Sequence, residues 1–290
     1  MQYGVTFPQN DIGNHPEDIK TYAQEVEAMG YSALLAYDHV LGAGLDTRPN
    51  WIGPYNSETD FHEIFVLFGY LAALTQQLRL VTGVVILPQR QTALVAKQAA
   101  EVDILSGGRL RLGIGVGWND IEYQGLNEDF SNRGIRSEEQ IAVMRALWSA
   151  TKISFNGRWH TIDNAGIKPL PVQRPIPIWI GGYNEATLKR IGRIGDGWIV
   201  FRPPTDETRD AILRAREYAQ AAGRQPDTIG IETQISLSRE PEANWQPYID
   251  GWRKLGAQTL YVNTMGMGFT HVDQHLEALR RFIASANAEG

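Results

Sequence analysis

The chain has 290 residues, 43% of them hydrophobic, with 27 basic and 33 acidic side chains and a formal charge of −6. That balance leaves no polybasic surface for nucleic acid or anionic lipid, and the absence of cysteine excludes disulfides, zinc thiolate sites and thiol nucleophiles. The opening MQYGVTFPQN has no basic n-region and no long apolar core, no apolar run reaches the length of a membrane span, and a cytoplasmic protein is the default expectation.

Strand and helix patterns alternate from end to end. Tyr3–Phe7 (YGVTF) reads as the first strand. The helix PEDIKTYAQEVEAMG repeats Ile19, Tyr22, Val26 and Met29 at helical spacing and stops at Gly30. YSALLAY is the second strand, followed by a loop rich in Gly, Pro and Asn from Asp38 to about Asp60. The apolar helix FHEIFVLFGYLAALT leads to a third strand, LRLVTGVVIL. The helix TALVAKQAAEVDILSGG ends on a glycine pair, and LRLGIGV is the fourth strand.

The pattern then widens. Ser137 and Gln140 have capping-box spacing ahead of Ile141, Met144 and Trp148 on one helical face. KISFNGRWHTID reads as a small hairpin and IKPLPVQRPIP as a proline-rich connector. PIWIGG is the fifth strand, with helix EATLKRIGRIG; GWIVF is the sixth, with helix DETRDAILRAREYAQAAG. IGIETQIS is the seventh, with a helix over Ala243–Leu255, and TLYVNT the eighth. The last helix uses Val272, Leu276, Leu279 and Ile283.

Eight strands, each followed by a helix, argue for parallel strands with crossover helices and predict an α/β fold, the (β/α)₈ TIM barrel. Residues 1–290 are read as one domain, with an insertion at about 120–175 around the fourth crossover. The competing fold, an open doubly wound sheet, usually places a phosphate-binding glycine loop after its first strand, where this chain has FPQN. RLRLGIGVGWND spaces Gly113, Gly115 and Gly117 as G-x-G-x-G and continues into Trp118, so it is not a dinucleotide fingerprint.

In a barrel, chemistry collects at the C-terminal ends of the strands. Those ends are Pro8 and Gln9; Tyr37, Asp38 and His39; Thr82, Gly83 and Val84; Gly115, Gly117, Trp118 and Asn119; Gly181 and Gly182; Phe201 and Arg202; Gln234; and Asn263. A glycosidase needs paired carboxylates, and Asp38 has no acidic counterpart there except Glu232. A metal amidohydrolase needs clustered histidines, and only His39 is present, so no metal site is expected. His271 and His275, four apart on the last helix, are read as solvated surface residues rather than a metal pair. His62, on a helix, and His160, on the hairpin, are read as ordinary packing or surface residues. Gly83 either admits an approaching group or marks a bulge. Gly181-Gly182, ahead of a helix opening near Asn184, either bares N–H groups for a phosphate or makes a tight turn.

Three segments carry a family likeness: YDHV; LRLVTGVVILPQRQTALVAKQAAEVDILSGGRLRLGIGVGWNDIEYQGL; and PIPIWIGGYNEATLKRIGRIGDGWI. Through them the chain resembles the bacterial-luciferase-like flavin and deazaflavin oxidoreductases, and within them the group that uses coenzyme F420. The resemblance implies a (β/α)₈ barrel in which Asp38 and His39 approach the deazaflavin ring. It implies a non-proline cis peptide at Gly83-Val84, forming a bulge behind the ring, and a cofactor phosphate near Gly181, Gly182 and Tyr183. Gly115 and Gly117 are then expected to open the barrel wall towards a cofactor edge, with Trp118 and Asn119 facing the pocket. Two departures stand out. Trp118 occupies the place of a glutamate that acts in the family's sugar-phosphate dehydrogenases, and the fifth-strand loop lacks a serine that some flavin-binding relatives use on the phosphate.

The function this implies is F420-dependent hydride transfer to or from a small organic substrate. His39 is then a proton donor or a stabiliser of ring charge, or the group that holds the second-strand loop by a hydrogen bond. One alternative keeps the fold but uses FMN for oxygen-dependent monooxygenation. Another is a cofactor-free barrel that binds a ligand or has lost activity. The loop from Gly42 to Asp60, with Trp51 and Tyr55, is either a lid or an oligomer contact. Relatives are often dimers, so a homodimer is expected.

Overall fold

The computed structural model describes residues 1–288. It opens with β1 (Gln2–Thr6), α1 (Pro16–Ala28), β2 (Ala33–Ala36), α2 (Ile64–Leu74), β3 (Arg79–Thr82), β4 (Val85–Ile86), α3 (Thr92–Leu105) and β5 (Leu110–Gly115). α4 (Asp120–Gly125), α5 (Arg133–Ser149) and the antiparallel hairpin β6 (Ile153–Asn156) and β7 (Thr161–Ala165) follow. The second half contains β8 (Ile178–Gly181), α6 (Glu185–Ile194), β9 (Gly197–Val200), α7 (Asp206–Ala221), β10 (Gly230–Ser236), α8 (Trp245–Lys254), β11 (Thr259–Asn263) and α9 (Val272–Ala288).

The parallel pairings run β3-β2-β1-β11-β10-β9-β8-β5, and a β3–β5 pairing closes the ring. β3 and β4 are successive pieces of one stave and both pair with β5, which gives a closed eight-stave TIM barrel. That closure excludes the open doubly wound alternative.

Alternation along each strand builds two apolar layers. Leu34, Leu80, Leu112, Trp198 and Leu260 face the helices, while Ala33, Leu35, Val81, Trp179, Ile199 and Tyr261 fill the barrel. Each such buried side chain contributes roughly 1.5–3 kcal/mol. Burial on both faces is why the strands read as nearly unbroken apolar runs.

Helix ends follow local chemistry. Pro16 opens α1, and Asn184 caps α6 by accepting from Thr187 N at 2.8 Å. Arg109, between α3 and β5, serves two helix ends at once. Its guanidinium donates to Ala72 O, Thr75 O and Leu78 O at 3.0, 2.9 and 2.7 Å, and its Nε to Ser106 O at 2.7 Å.

The third strand is divided at Gly83-Val84, whose peptide bond is cis, as the resemblance implies. Two local expectations change. α5 begins at Arg133, so Ser137 and Gln140 lie inside it and not at its cap. Gln140 Nε2 instead donates to Leu87 O, Arg90 O and Thr92 Oγ1, tying α5 to the segment after β4. His62 precedes α2, which is capped by Glu63 accepting from Val66 N at 2.8 Å.

Candidate active site

Inward-facing residues of four staves meet at the C-terminal mouth. Gln234 Nε2 donates to Thr6 Oγ1 at 2.7 Å and to Tyr37 OH at 2.8 Å, and Gln9 Nε2 donates to Tyr37 O at 3.1 Å. The Tyr37 ring stands 6.2 Å from that of Phe201. Burial, opposed by the hydrogen bond from Gln234, raises the Tyr37 hydroxyl well above its ordinary value, so it stays neutral.

The glycines of β5 and β8 make room for one side chain. A Cβ on Gly115 would lie 2.6 Å from Val84 Cγ2, and one on Gly181 would lie 2.8 Å from Val84 Cγ1. Val84 therefore projects from the break between β3 and β4 across two neighbouring staves, a close approach that only glycine permits. Gly117 lies behind it, where a Cβ would sit 2.7 Å from Ile86 Cγ2. Trp118 turns to the rim, 47% exposed, its ring 5.8 Å from that of Trp51. Asn119 is buried and donates to Leu41 O at 3.4 Å.

Asp38 and His39 point to different partners. The Asp38 carboxylate is fully buried and accepts from Arg90 Nη2 at 2.6 Å and Ile86 N at 3.0 Å. Arg90 also donates to Glu63 at 3.1 Å, so one guanidinium ties the end of β2 to the start of α2. Asp38 thus anchors the mouth with both oxygens engaged.

His39 Nδ1 lies 3.2 Å from Glu122 Oε1, and both side chains are buried. The same carboxylate accepts from Val40 N, and from Leu41 N at 3.2 Å. Burial pushes Glu122 up, but the hydrogen bonds from His39, Val40 and Leu41 outweigh it and hold the carboxyl below its ordinary range. A carboxylate only accepts, so Nδ1 carries a hydrogen and Nε2 is the position that can take up or release a proton. Nε2 is buried with no hydrogen-bond partner. Phe61 and Tyr55 cover the ring at 4.9 and 5.6 Å between centroids. The loop after β2 therefore packs over His39 and, through Trp51, against Trp118.

The turn after β8 carries the remaining expected residues. Gly182 has φ +103°, and its carbonyl accepts from Trp198 Nε1 at 2.6 Å. Tyr183 is exposed, with the Arg202 guanidinium 3.6 Å from its ring centroid. A helix N-terminus beside an arginine suits an anion.

Glu122 and Arg90 are the functional candidates that the sequence did not single out. Glu232, considered as a partner for Asp38, sits near the opposite end of the barrel, where Tyr261 OH donates to it at 2.9 Å. His275 is not solvated: it is fully buried and bonded through Nδ1 to Thr264 Oγ1 at 2.8 Å, whereas His271 is exposed. His160 links Thr92 and Glu139 beneath the hairpin. Among the described residues no group of three or more His, Cys, Asp or Glu could hold a metal ion, and no helix is long and apolar enough to cross a membrane.

Among the described residues His39 Nε2, Gln9 Oε1 and Asn119 Oδ1 are buried polar atoms without a hydrogen-bond partner, which suits a hydrogen-bonding ring system as ligand.

The family model for luciferase-like monooxygenases matches residues 2–288. An F420-dependent glucose-6-phosphate dehydrogenase of Mycolicibacterium fortuitum is 29% identical over 236 residues, 78% of this chain and 66% of that protein. An FMNH2-dependent dimethylsulfone monooxygenase of Pseudomonas fluorescens is 33% identical over 223 residues, 76% of this chain and 57% of that protein. The crystal structure of a monooxygenase, RslO1, from Streptomyces bottropensis superposes with a TM-score of 0.78 at 18% identity, covering 100% of this chain and 99% of that one.

Proposed function

The chain belongs to the luciferase-like monooxygenase family, whose members are F420- or FMN-dependent oxidoreductases, and on that premise we propose that it is an F420-dependent enzyme acting on a small organic substrate. The observation that carries this reading is the buried His39–Glu122 pair, which leaves Nε2 uncommitted under the loop after β2. When bound, the deazaflavin supplies or accepts a hydride at its C5.

The chain's own residues do the rest. Gly181, Gly182 and Tyr183, with the start of α6, hold the cofactor phosphate through backbone N–H groups, and Arg202 adds positive charge beside them. Val84, seated against Gly115 and Gly181, would back the cofactor ring. His39 holds a proton at Nε2 while Glu122 fixes Nδ1 and the ring orientation. Tyr55 and Phe61 exclude water from the imidazole. On this reading the loop after β2 is a lid, and the protein acts as a homodimer, which light scattering tests.

Titration with F420 and with FMN, followed by absorbance and fluorescence, tests the proposal. The expected result is tight F420 binding and turnover that collapses in His39→Ala. Tight FMN binding alone would replace it with the monooxygenase reading, which the 33% identity to the dimethylsulfone monooxygenase favours. Binding of neither would leave the cofactor-free barrel.

A further inference from the structure

The closed end of the barrel, opposite His39, holds an excess of positive charge around a cleft of about 400 Å³. Arg79 opens β3, Arg111 lies near the start of β5 and Thr259 opens β11, and all three line this cleft. Glu232 is the carboxylate that meets both arginines, and each of its oxygens already accepts one hydrogen bond. Arg111 Nη1 donates to its Oε1 and Tyr261 OH to its Oε2.

Arg79 is the group left over. Its Nη1 stands 3.9 Å from Glu232 Oε1, beyond hydrogen-bond range, and among the described residues its guanidinium donates no hydrogen bond. Burial, and then the nearby charge of Arg111, both disfavour its protonated form. Two guanidinium groups facing one carboxylate leave a net charge of about +1 in a half-buried cleft, where charge is screened less than in bulk water.

A second observation also points to a ligand. Thr259 Oγ1 is buried without a hydrogen-bond partner, and Thr259 is 1% exposed. Thr259 lies two residues before Tyr261, so its side chain faces the barrel interior as that ring does. A hydroxyl donor lining the same cleft as a guanidinium that makes no hydrogen bond matches the oxygens of a tetrahedral anion.

We propose that Arg79, Arg111 and Thr259 form a binding site for a small oxyanion of the phosphate class at the N-terminal end of the barrel. An anion there accepts from Arg79 and from the Thr259 hydroxyl and offsets the repulsion between the two arginines. The site is independent of the cofactor reading, because it lies at the other end of the staves.

Thermal unfolding in inorganic phosphate, against sodium chloride of equal ionic strength, tests the site. Under the proposed function phosphate would also bind the turn at Gly181–Tyr183, so the readout is the difference between the native protein and two remote variants, Arg79→Gln and Thr259→Val. The native protein is expected to show a saturable rise in Tm of a few degrees beyond the chloride control. That rise is expected to fall by more than half in each variant. Thr259→Val, nearly isosteric, decides the matter if Arg79→Gln fails to fold. An equal phosphate response in native and variant proteins, or none in the native protein, overturns the proposal.

Discussion

The imidazole of His39 and the carboxylate of Glu122 meet in a buried pair, Nδ1 to Oε1 at 3.2 Å, with Glu122 also gripping the two backbone N–H groups that follow His39. One acid thus orients the ring and holds the loop on which the ring sits. Glu122→Gln keeps an acceptor but removes the charge, so kcat is expected to fall about tenfold or more with cofactor affinity nearly unchanged. His39→Ala is expected to lose about 100-fold or more, the ordinary worth of a positioned proton-transfer group. Steady-state kinetics beside a cofactor titration separate the two effects; an unchanged kcat in Glu122→Gln would show that the ring needs no orienting carboxylate.

Asp38 has no exposed side-chain surface and depends on Arg90. Arg90→Met leaves a buried carboxylate without its counter-ion and is expected to cost about 3–5 kcal/mol in urea unfolding. The double variant with Asp38→Asn is expected to recover part of that loss, because the stranded charge is gone.

Val84 fills the space that Gly115 and Gly181 leave open. Gly115→Ala is expected to destabilise by about 1–3 kcal/mol through overpacking. Combined with Val84→Ala it should cost less than the two single changes added together, and a double-mutant cycle by denaturant unfolding reads the coupling. Simple additivity would mean that the methyl is accommodated elsewhere.

Trp118 and Trp51 pin the rim loop, with ring centroids 5.8 Å apart. Trp118→Ala is expected to quicken proteolytic nicking within residues 42–60, and bound cofactor should slow it again. Mass spectrometry of the early fragments locates the cut.

His275 is held neutral. Burial lowers its pKa below the ordinary 6.5, against a smaller opposing pull from Asp11. The unfolded chain takes up a proton first, so this group's contribution is present above about pH 6.5 and is lost as pH falls towards the folded value. The native protein should therefore lose more Tm between about pH 7 and 5 than His275→Gln does.

The alternation of apolar strands and amphipathic helices is a short-range signal, and it carried the barrel. What it could not carry was pairing between distant segments. The third strand is apolar on both sides of Gly83, so periodicity alone runs through the break, and only the family resemblance places it at Gly83-Val84. Ser137 and Gln140 match a helix start in spacing, yet Gln140 is a buried tether whose acceptors include Leu87 and Thr92. Arg90 looks like a loop cation until the fold brings Asp38 to it. Glu122 carries no local signal of its role, since it stands beyond the glycine-rich strand end at Gly117-Trp118. The acid that reaches His39 comes one helical turn later, on α4. His275 looked solvated because its hydroxyl partner, Thr264, lies in the preceding loop.

Arg109 has a consequence for how the molecule is assembled. The last carbonyls of α2 and the end of α3 share its one side chain, and neither helix carries a basic residue in its own last turn. Completing the first of these helices therefore waits on a residue that enters the chain only after the second has been made. A nascent or truncated chain that stops short of Arg109 leaves the carbonyls of Ala72 and Thr75 at the end of α2 without that donor, whereas α3 closes on its own Gly107 and Gly108. The second β/α unit is in that sense finished by a residue at the threshold of the fourth stave, β5.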